Sequence, residues 1–154
     1  MTRKMFRTIG IVAVCCVFLS LTGCEPEQTT SPILPGETAV FIVTFDPDPA
    51  YEGYGDKYRF MVRVDEVNGV GARITSIKVE YIDDTGNVLE TDNYDEGAVV
   101  RTFGTSRIEA YGRLMTNVEV ECFCCTRENW LIRAEDDQGE HVEYPGSVEL
   151  ISRL

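Results

Sequence analysis

Three of the six cysteines stand almost side by side, at Cys122, Cys124 and Cys125. Three thiols allow one intramolecular disulfide and leave one thiol over. On a strand, the Cα atoms of Cys122 and Cys124 would be two strand rises apart, which is near the upper limit of the Cα–Cα distance that a disulfide can span. Cys122 and Cys125 can pair if the chain turns between them. Thiolates this close could also bind zinc or Cu(I), or the leftover thiol could form an intermolecular or redox bridge. Because no second cysteine pair completes a zinc site, a structural role is favoured, and a metal-handling or thiol-redox protein is the alternative.

Acidic residues are concentrated in one loop, at Asp46, Asp48 and Asp56. Calcium takes six to eight oxygen ligands, and a loop of this kind could supply several of them. The loop lacks the alternating Asp and Asn ladder of an EF-hand, and aspartate is also a common turn residue because it accepts hydrogen bonds from its own backbone. Turn formation is therefore the favoured interpretation, and a calcium site is the alternative.

Aromatic residues in the same loop could form a recognition surface. Tyr51 and Tyr54 precede the next predicted strand and are candidates for an exposed binding tip, whereas Tyr58 falls on the apolar face of that strand. His141 is the single histidine and falls opposite the apolar positions, so it is expected to be exposed. No nucleophile, base and orienting group converge in the sequence, and no phosphate-binding glycine loop is present, so we do not expect an enzyme.

The N-terminal segment has the pattern of a secretory signal. Arg3, Lys4 and Arg7 precede an apolar run over residues 9–21, which is shorter than the roughly 20 residues that a spanning helix needs. The run ends in Leu21-Thr22-Gly23-Cys24, which resembles the lipobox of bacterial lipoproteins. The resemblance implies that residues 1–23 are a signal peptide and that Cys24 carries a diacylglycerol and an acyl chain such as palmitate.

This resemblance also implies a location. Two or more acyl chains give stable anchoring, so the protein is expected at the membrane of a bacterial cell envelope. The residue after Cys24 is Glu25 rather than aspartate, which favours the outer membrane. No cofactor is expected apart from the covalent lipid.

The exported part of the chain is strongly acidic. Removing residues 1–23 takes away three basic residues and no acidic one, so the net charge of −12 becomes −15. Such a surface repels nucleic acid, which excludes that class of partner. Residues 24–37 contain three prolines and several Thr and Ser residues, which indicates a linker. Residues 38–154 then form the one predicted domain.

From Thr38 onward the apolar residues alternate with polar ones, the period of β-strands with one buried face. The segment 106–114 also permits a helix, because Ser106 and Glu109 mimic a capping box, but Gly112 favours a strand. The predicted strands are 38–45, 57–65, 73–82, 88–92, 98–103, 106–114, 117–124, 129–135 and 140–151.

Strand number and spacing predict an all-β, antiparallel, two-sheet sandwich, with an open barrel as the alternative. Residues 129–140 (NWLIRAEDDQGE) are similar to the last hairpin of immunoglobulin-like and fibronectin-type-III-like domains. Antibody-type domains would also carry a cysteine on the second strand, which is lacking here. The resemblance implies a non-catalytic binding or structural module whose partner is another envelope protein or a glycan.

Overall fold

The computed structural model describes residues 36–55 and 57–152. Nine strands and one helix follow one another in this part of the chain. They are β1 (Phe41–Asp46), β2 (Ala50–Tyr51), β3 (Lys57–Glu66), β4 (Ala72–Ile82), β5 (Val88–Asp95), α1 (Glu96–Phe103), β6 (Arg107–Ile108), β7 (Arg113–Glu121), β8 (Arg127–Asp136) and β9 (His141–Ile151).

The strands form two sheets that face each other. The smaller sheet has the order β1-β3-β7, and the larger has the order β2-β9-β8-β4-β5, with β6 paired to one end of β4. All neighbouring strands are antiparallel except β2, which runs parallel to the end of β9. The predicted immunoglobulin-like sandwich is therefore confirmed, and the sheets do not close into a barrel.

The core lies between the sheets and is built by the predicted alternation. Tyr58, Phe60, Val62 and Val64 of β3 are all buried, as are the inward residues of β4 and β8. The ring of Phe45 in β1 bridges the two sheets: its centroid lies 5.9 Å from that of Phe60 and 5.8 Å from that of Trp130 on β8. Alternating side chains thus place one face of each sheet in the core.

Strand β4 departs from strict alternation at its start. Alternation alone predicts Thr75 on the inner face, in phase with Ile77 and Val79. The pairing with β8 shifts between Ile74 and Ser76, so that an extra residue is inserted in β4. As a result Ile74 is fully buried and Thr75 is not. A bulge changes the phase of a strand, and the sequence pattern does not reveal where it falls.

The prediction of a strand over 98–103 is wrong, because this segment belongs to helix α1. Asp95 is the N-cap, and its carboxylate accepts a hydrogen bond from the backbone N–H of Ala98 at 2.7 Å. Gly104 ends the helix in the left-handed conformation at φ 82°, and its N–H donates to the carbonyl of Val100. Both ends are thus capped. Val99 anchors the helix by burying its side chain in the core.

The prediction of one continuous strand over 106–114 is also wrong. The structure has the two-residue β6, a turn over residues 109–112, and then β7, which also contains the start of the predicted strand 117–124 and ends at Glu121. The N–H of Gly112 donates to the carbonyl of Glu109 at 2.7 Å. A Cβ on Gly112 would lie only 2.6 Å from that carbonyl oxygen, so the tight turn requires glycine.

A buried carboxylate, Glu66 at the end of β3, ties several loops together. It accepts hydrogen bonds from the backbone N–H groups of Val40, Asn68, Gly69 and Tyr111. Burial by itself raises the pKa of Glu66, but the four backbone donors outweigh burial and the pKa is lowered. The carboxylate therefore serves as the hydrogen-bond acceptor for four backbone N–H groups that lie outside the strands.

Candidate functional site

A groove opens where the smaller sheet ends. The larger sheet continues through β4 to β5, whereas the smaller sheet stops at β7. Helix α1 packs against β4, β5 and β7, so the inner face of β5 is covered by a helix rather than by a strand. The space left between these elements is a cavity of about 430 Å³. Cavities of this size are typical of small-ligand and side-chain binding sites.

Strand register sets which side chains reach the groove. Tyr81 pairs with Glu90, Val79 with Asp92, and Ile77 with Tyr94, so these residues of β4 and β5 share the inner face of the sheet. Because the smaller sheet ends at β7, this inner face of the larger sheet lines the cavity where no strand lies opposite it. The aromatic residues that line it are Tyr81, Tyr94, Phe103 and Trp130.

Glu128 of β8 is the most unusual residue of the groove. The residue is fully buried. Its Oε2 accepts a hydrogen bond from the indole N–H of Trp130 at 2.8 Å, whereas its buried Oε1 has no hydrogen-bond partner among the residues that the structure describes. Burial raises the pKa of Glu128 to about 7; the bond from Trp130 lowers it, and the nearby Asp92 carboxylate raises it again. A buried carboxylate with one protein donor is costly, and such a group is a candidate for a binding or reactive site.

Asp92 of β5 is held by two tyrosine hydroxyls. Tyr81 Oη donates to Asp92 Oδ2 at 3.0 Å, and Tyr94 Oη donates to the same oxygen at 3.3 Å. Burial is the main cause that raises the pKa of both tyrosines; the Glu128 and Asp92 carboxylates add to it for Tyr81 and Tyr94 respectively. The hydroxyls therefore stay protonated and keep the Asp92 carboxylate in a fixed orientation.

All charged residues that line the groove are acidic. They are Glu90, Asp92, Glu119, Glu121 and Glu128. Glu119 is neutralised by Lys57 and Arg59 of β3, whose nitrogens lie 2.5 Å and 2.7 Å from its carboxylate oxygens. The hydrogen bond from Lys57 is the main cause that lowers the pKa of Glu119. The remaining carboxylates leave the groove with an excess of negative charge, which favours a cationic ligand.

The cysteine group lies beside this groove. Cys122 and Cys125 form a disulfide with Cα atoms 5.7 Å apart, which is the pairing that requires a turn. Cys122 lines the groove, Cys125 is buried, and Cys124 remains as an exposed free thiol. In this oxidised form the three sulfurs do not assemble as one set of ligands. The metal and redox hypotheses for Cys122, Cys124 and Cys125 stay predictions.

Two of the candidate calcium residues, Asp46 and Asp48, lie at the start of the β1–β2 connection and within it. Asp46 ends β1, and Asp48 Oδ1 accepts a hydrogen bond from the backbone N–H of Glu149 at 3.1 Å. Asp56 is outside the described residues. Within 36–55 and 57–152, no group of three or more His, Cys, Asp or Glu residues is arranged to hold a metal ion. The calcium site stays a prediction.

The two tyrosines of the predicted binding tip are exposed. Tyr51 is 54% exposed in β2, and Tyr54 is 97% exposed in the following turn. Tyr58 is buried and His141 is exposed at the start of β9, both as predicted. The binding role of Tyr51 and Tyr54 stays a prediction.

The lipobox Leu21, Thr22 and Gly23 and the lipidation site Cys24 lie outside the described residues. In the part of the chain that is described, no helix is long and apolar enough to cross a bilayer.

Sequence reasoning missed Asp92 and Glu128, the central residues of the groove. A signal for Glu128 exists in the sequence. It stands in phase with Trp130, Ile132 and Ala134, the inward residues of its strand, so an acidic side chain occupies a core position. Asp92 has no such signal, because its inward position becomes a groove position only where the facing sheet ends.

No protein-family model matches the sequence, and no curated protein matches it significantly. Several solved structures are similar in fold. The putative ApaA protein from Bordetella pertussis is 13% identical, with a TM-score of 0.48 over 77% of this chain and 98% of that chain. The CARDB domain of the PF1109 protein from Pyrococcus furiosus is 13% identical, with a TM-score of 0.44 over 78% and 93%. Murine CRIg is 11% identical, with a TM-score of 0.45 over 75% and 99%.

Proposed function

We propose that this chain is a lipid-anchored protein of the bacterial envelope, with an immunoglobulin-like domain that is a non-catalytic binding module. The partner is another envelope protein, and it binds in the groove between β5, β7 and α1. The observation that carries the proposal is the buried Oε1 of Glu128, a groove residue, which has no hydrogen-bond partner within residues 36–55 and 57–152. A bound partner can supply the missing donor.

The sheet edges beside the groove support a protein partner. β5 and β7 are the edge strands of their sheets in the described part of the chain. Open sheet edges are features that protein partners use.

The sequence supports the anchor. The signal segment ends in the lipobox-like Leu21-Thr22-Gly23-Cys24, and the linker over residues 24–37 follows it. Fully extended, a linker of this length spans about 45–50 Å. Such a tether lets the domain reach a partner away from the bilayer, and the acidic surface keeps the domain off anionic lipid head groups.

Photocrosslinking in the native host tests the binding surface. A photoreactive residue is placed in the full chain at Thr102 or Asn117, which line the groove, and at Gln138 in the β8–β9 turn as the control. We expect one protein adduct, identified by mass spectrometry, from the two groove positions and none from Gln138. Equal adducts from all three positions would contradict the groove as the binding surface. An adduct that glycosidases shorten and that contains no peptide of a second protein would show a glycan instead.

The anchor has its own test. In detergent phase partitioning, the wild-type chain is expected in the detergent phase without residues 1–23, and the Cys24→Ser variant in the aqueous phase. A wild-type chain that keeps its first 23 residues and stays in the aqueous phase would refute the anchor while leaving the groove untouched.

A further inference from the structure

The groove combines carboxylates with aromatic rings, and this combination identifies the chemical group that it accepts. Building on the proposed function, we infer that the groove takes a basic side chain of the partner protein, the ammonium of a lysine or the guanidinium of an arginine. The inference rests on the proposed groove interface and adds the chemistry of the ligand.

The anionic end of the site is Glu128 Oε1. Because the indole N–H of Trp130 already occupies Oε2 at 2.8 Å, the carboxylate is held in one orientation. Oε1 is buried and has no hydrogen-bond donor in the described part of the chain, so a cation that reaches it from the groove meets no competing donor. Hydrogen bonds between ionised partners are stronger than neutral ones, and they gain further in a site that excludes water.

The walls suit the rest of a basic side chain. Trp130, Tyr81 and Tyr94 present aromatic rings, which attract ammonium and guanidinium groups through their faces. Ile77, Val79 and Val99 supply aliphatic contacts. Lysine and arginine bury their methylene stems against apolar surface while the charged head finds a polar partner, so both parts of the side chain are matched.

The same residues are poor ligands for a divalent metal. Calcium requires six to eight oxygens and magnesium six. Asp92 Oδ2 is already bonded to two hydroxyls, and Glu128 Oε2 is bonded to an indole. Much of the remaining lining is aromatic or aliphatic. An organic cation uses these rings and methyl groups, whereas a metal ion gains nothing from them.

The fluorescence of Trp130, the only tryptophan of the chain, reports binding directly. The full chain, purified in detergent, is titrated with N-acetyl-lysine methylamide and with the uncharged N-acetyl-norleucine methylamide of similar shape. Butylammonium serves as a free amine, a short lysine-containing peptide represents a protein partner, and calcium chloride tests a metal. We expect saturable changes in emission with the lysine probe and the peptide, and at least tenfold weaker binding of the norleucine probe.

Two variants assign the effect to the proposed atom. Glu128→Gln keeps the size of the side chain but removes its charge, and we expect about tenfold weaker binding of the lysine probe or more. Glu149→Gln removes one charge from an exposed position outside the groove and is expected to bind like the wild type. A thermal unfolding curve for each variant shows that it is folded under the assay conditions.

Several results would overturn the inference. Equal binding of the lysine and norleucine probes, unchanged binding by Glu128→Gln, or saturable binding of calcium in place of the lysine probe would each do so. Binding of butylammonium without binding of the peptide would show a site for free amines. If the crosslinks at Thr102 and Asn117 form while the cationic probes fail to bind, the inferred ligand chemistry is wrong and the proposed groove interface stands. If the probes bind but no crosslinks form, the proposal of a protein partner is wrong.

Discussion

Replacing Glu128 by Gln is predicted to change how the stability of the domain depends on pH. Gln fills nearly the same space and its amide oxygen can still accept the indole N–H of Trp130. The substitution therefore removes mainly the ionisable group. In the fold, burial holds the pKa of Glu128 at about 7, compared with an ordinary value of 4.5 for an exposed glutamate. This difference corresponds to about 3 kcal/mol of unfolding free energy.

The sign of the effect follows from where each state releases its proton. Below about pH 4.5 Glu128 is protonated in both the folded and the unfolded chain, and its burial as a neutral acid costs little. Between pH 4.5 and 7 the unfolded chain ionises while the folded chain does not, so the free energy of unfolding falls as the pH rises. Above pH 7 both states are ionised and the loss stays at about 3 kcal/mol.

Urea unfolding at pH 5, 6, 7 and 8, followed by Trp130 emission, measures the effect. We expect Glu128→Gln to unfold at a higher urea concentration than the wild type at pH 8. Its free energy of unfolding should be larger by about 2 to 3 kcal/mol, and this difference should shrink toward pH 5. The other buried carboxylates are present in both proteins, so their titration cancels in the difference. Glu149→Gln serves as the control and should parallel the wild type.

A difference between wild type and Glu128→Gln that is constant from pH 5 to 8 would refute this reasoning. So would a variant less stable than the wild type at pH 8, because the ionised carboxylate would then be stabilised by contacts that the groove does not show.

Three further predictions concern the supports of the groove and the cysteines. Glu66→Gln should lower the free energy of unfolding at pH 7 by about 1–3 kcal/mol, because four backbone N–H groups lose their acceptor charge. The loss should shrink as the pH falls through the lowered pKa of Glu66, and a pH-independent loss would contradict its cause. Gly104→Ala should cost about 1 kcal/mol by urea unfolding through strain at φ 82°, and no change would mean that the helix end adjusts. Thiol titration of the unfolded chain should find two fewer reactive thiols before reduction than after; equal numbers before and after reduction would exclude the Cys122–Cys125 disulfide.

The strands of the core could be predicted because one face of each is buried. Alternation places Tyr58, Phe60 and Val62 in the core without any knowledge of their partners. The same rule fails where the local pattern is ambiguous. Residues 98–103 alternate weakly enough to suggest a strand, yet Asp95 and Gly104 stand at the two ends as helix caps. Reading those caps before the periodicity would have predicted α1.

The groove could not be predicted in the same way, because it depends on which strands lie opposite each other. The inner face of β5 lines a cavity only because the smaller sheet stops at β7 and α1 packs beside it. Which strands pair and which face each other is set by long-range contacts, and the periodicity of the sequence does not reveal them. Asp92 illustrates the point, since its sequence neighbours read as an ordinary short strand.

Glu128 differs from Glu66 in a way that bears on function. Glu66 is buried with four backbone donors, and its charge stabilises the fold. Glu128 is buried with one donor and an unsatisfied oxygen, and its charge opposes the fold by about 3 kcal/mol at neutral pH. Domains of this size are stable by only about 5–15 kcal/mol, so that cost is a sizeable fraction of the whole. Gln would fill the same position without the charge. In the proposed interface a cation in the groove would pair with the ionised carboxylate and offset this cost, and this is the physical reason for proposing the binding site at Glu128.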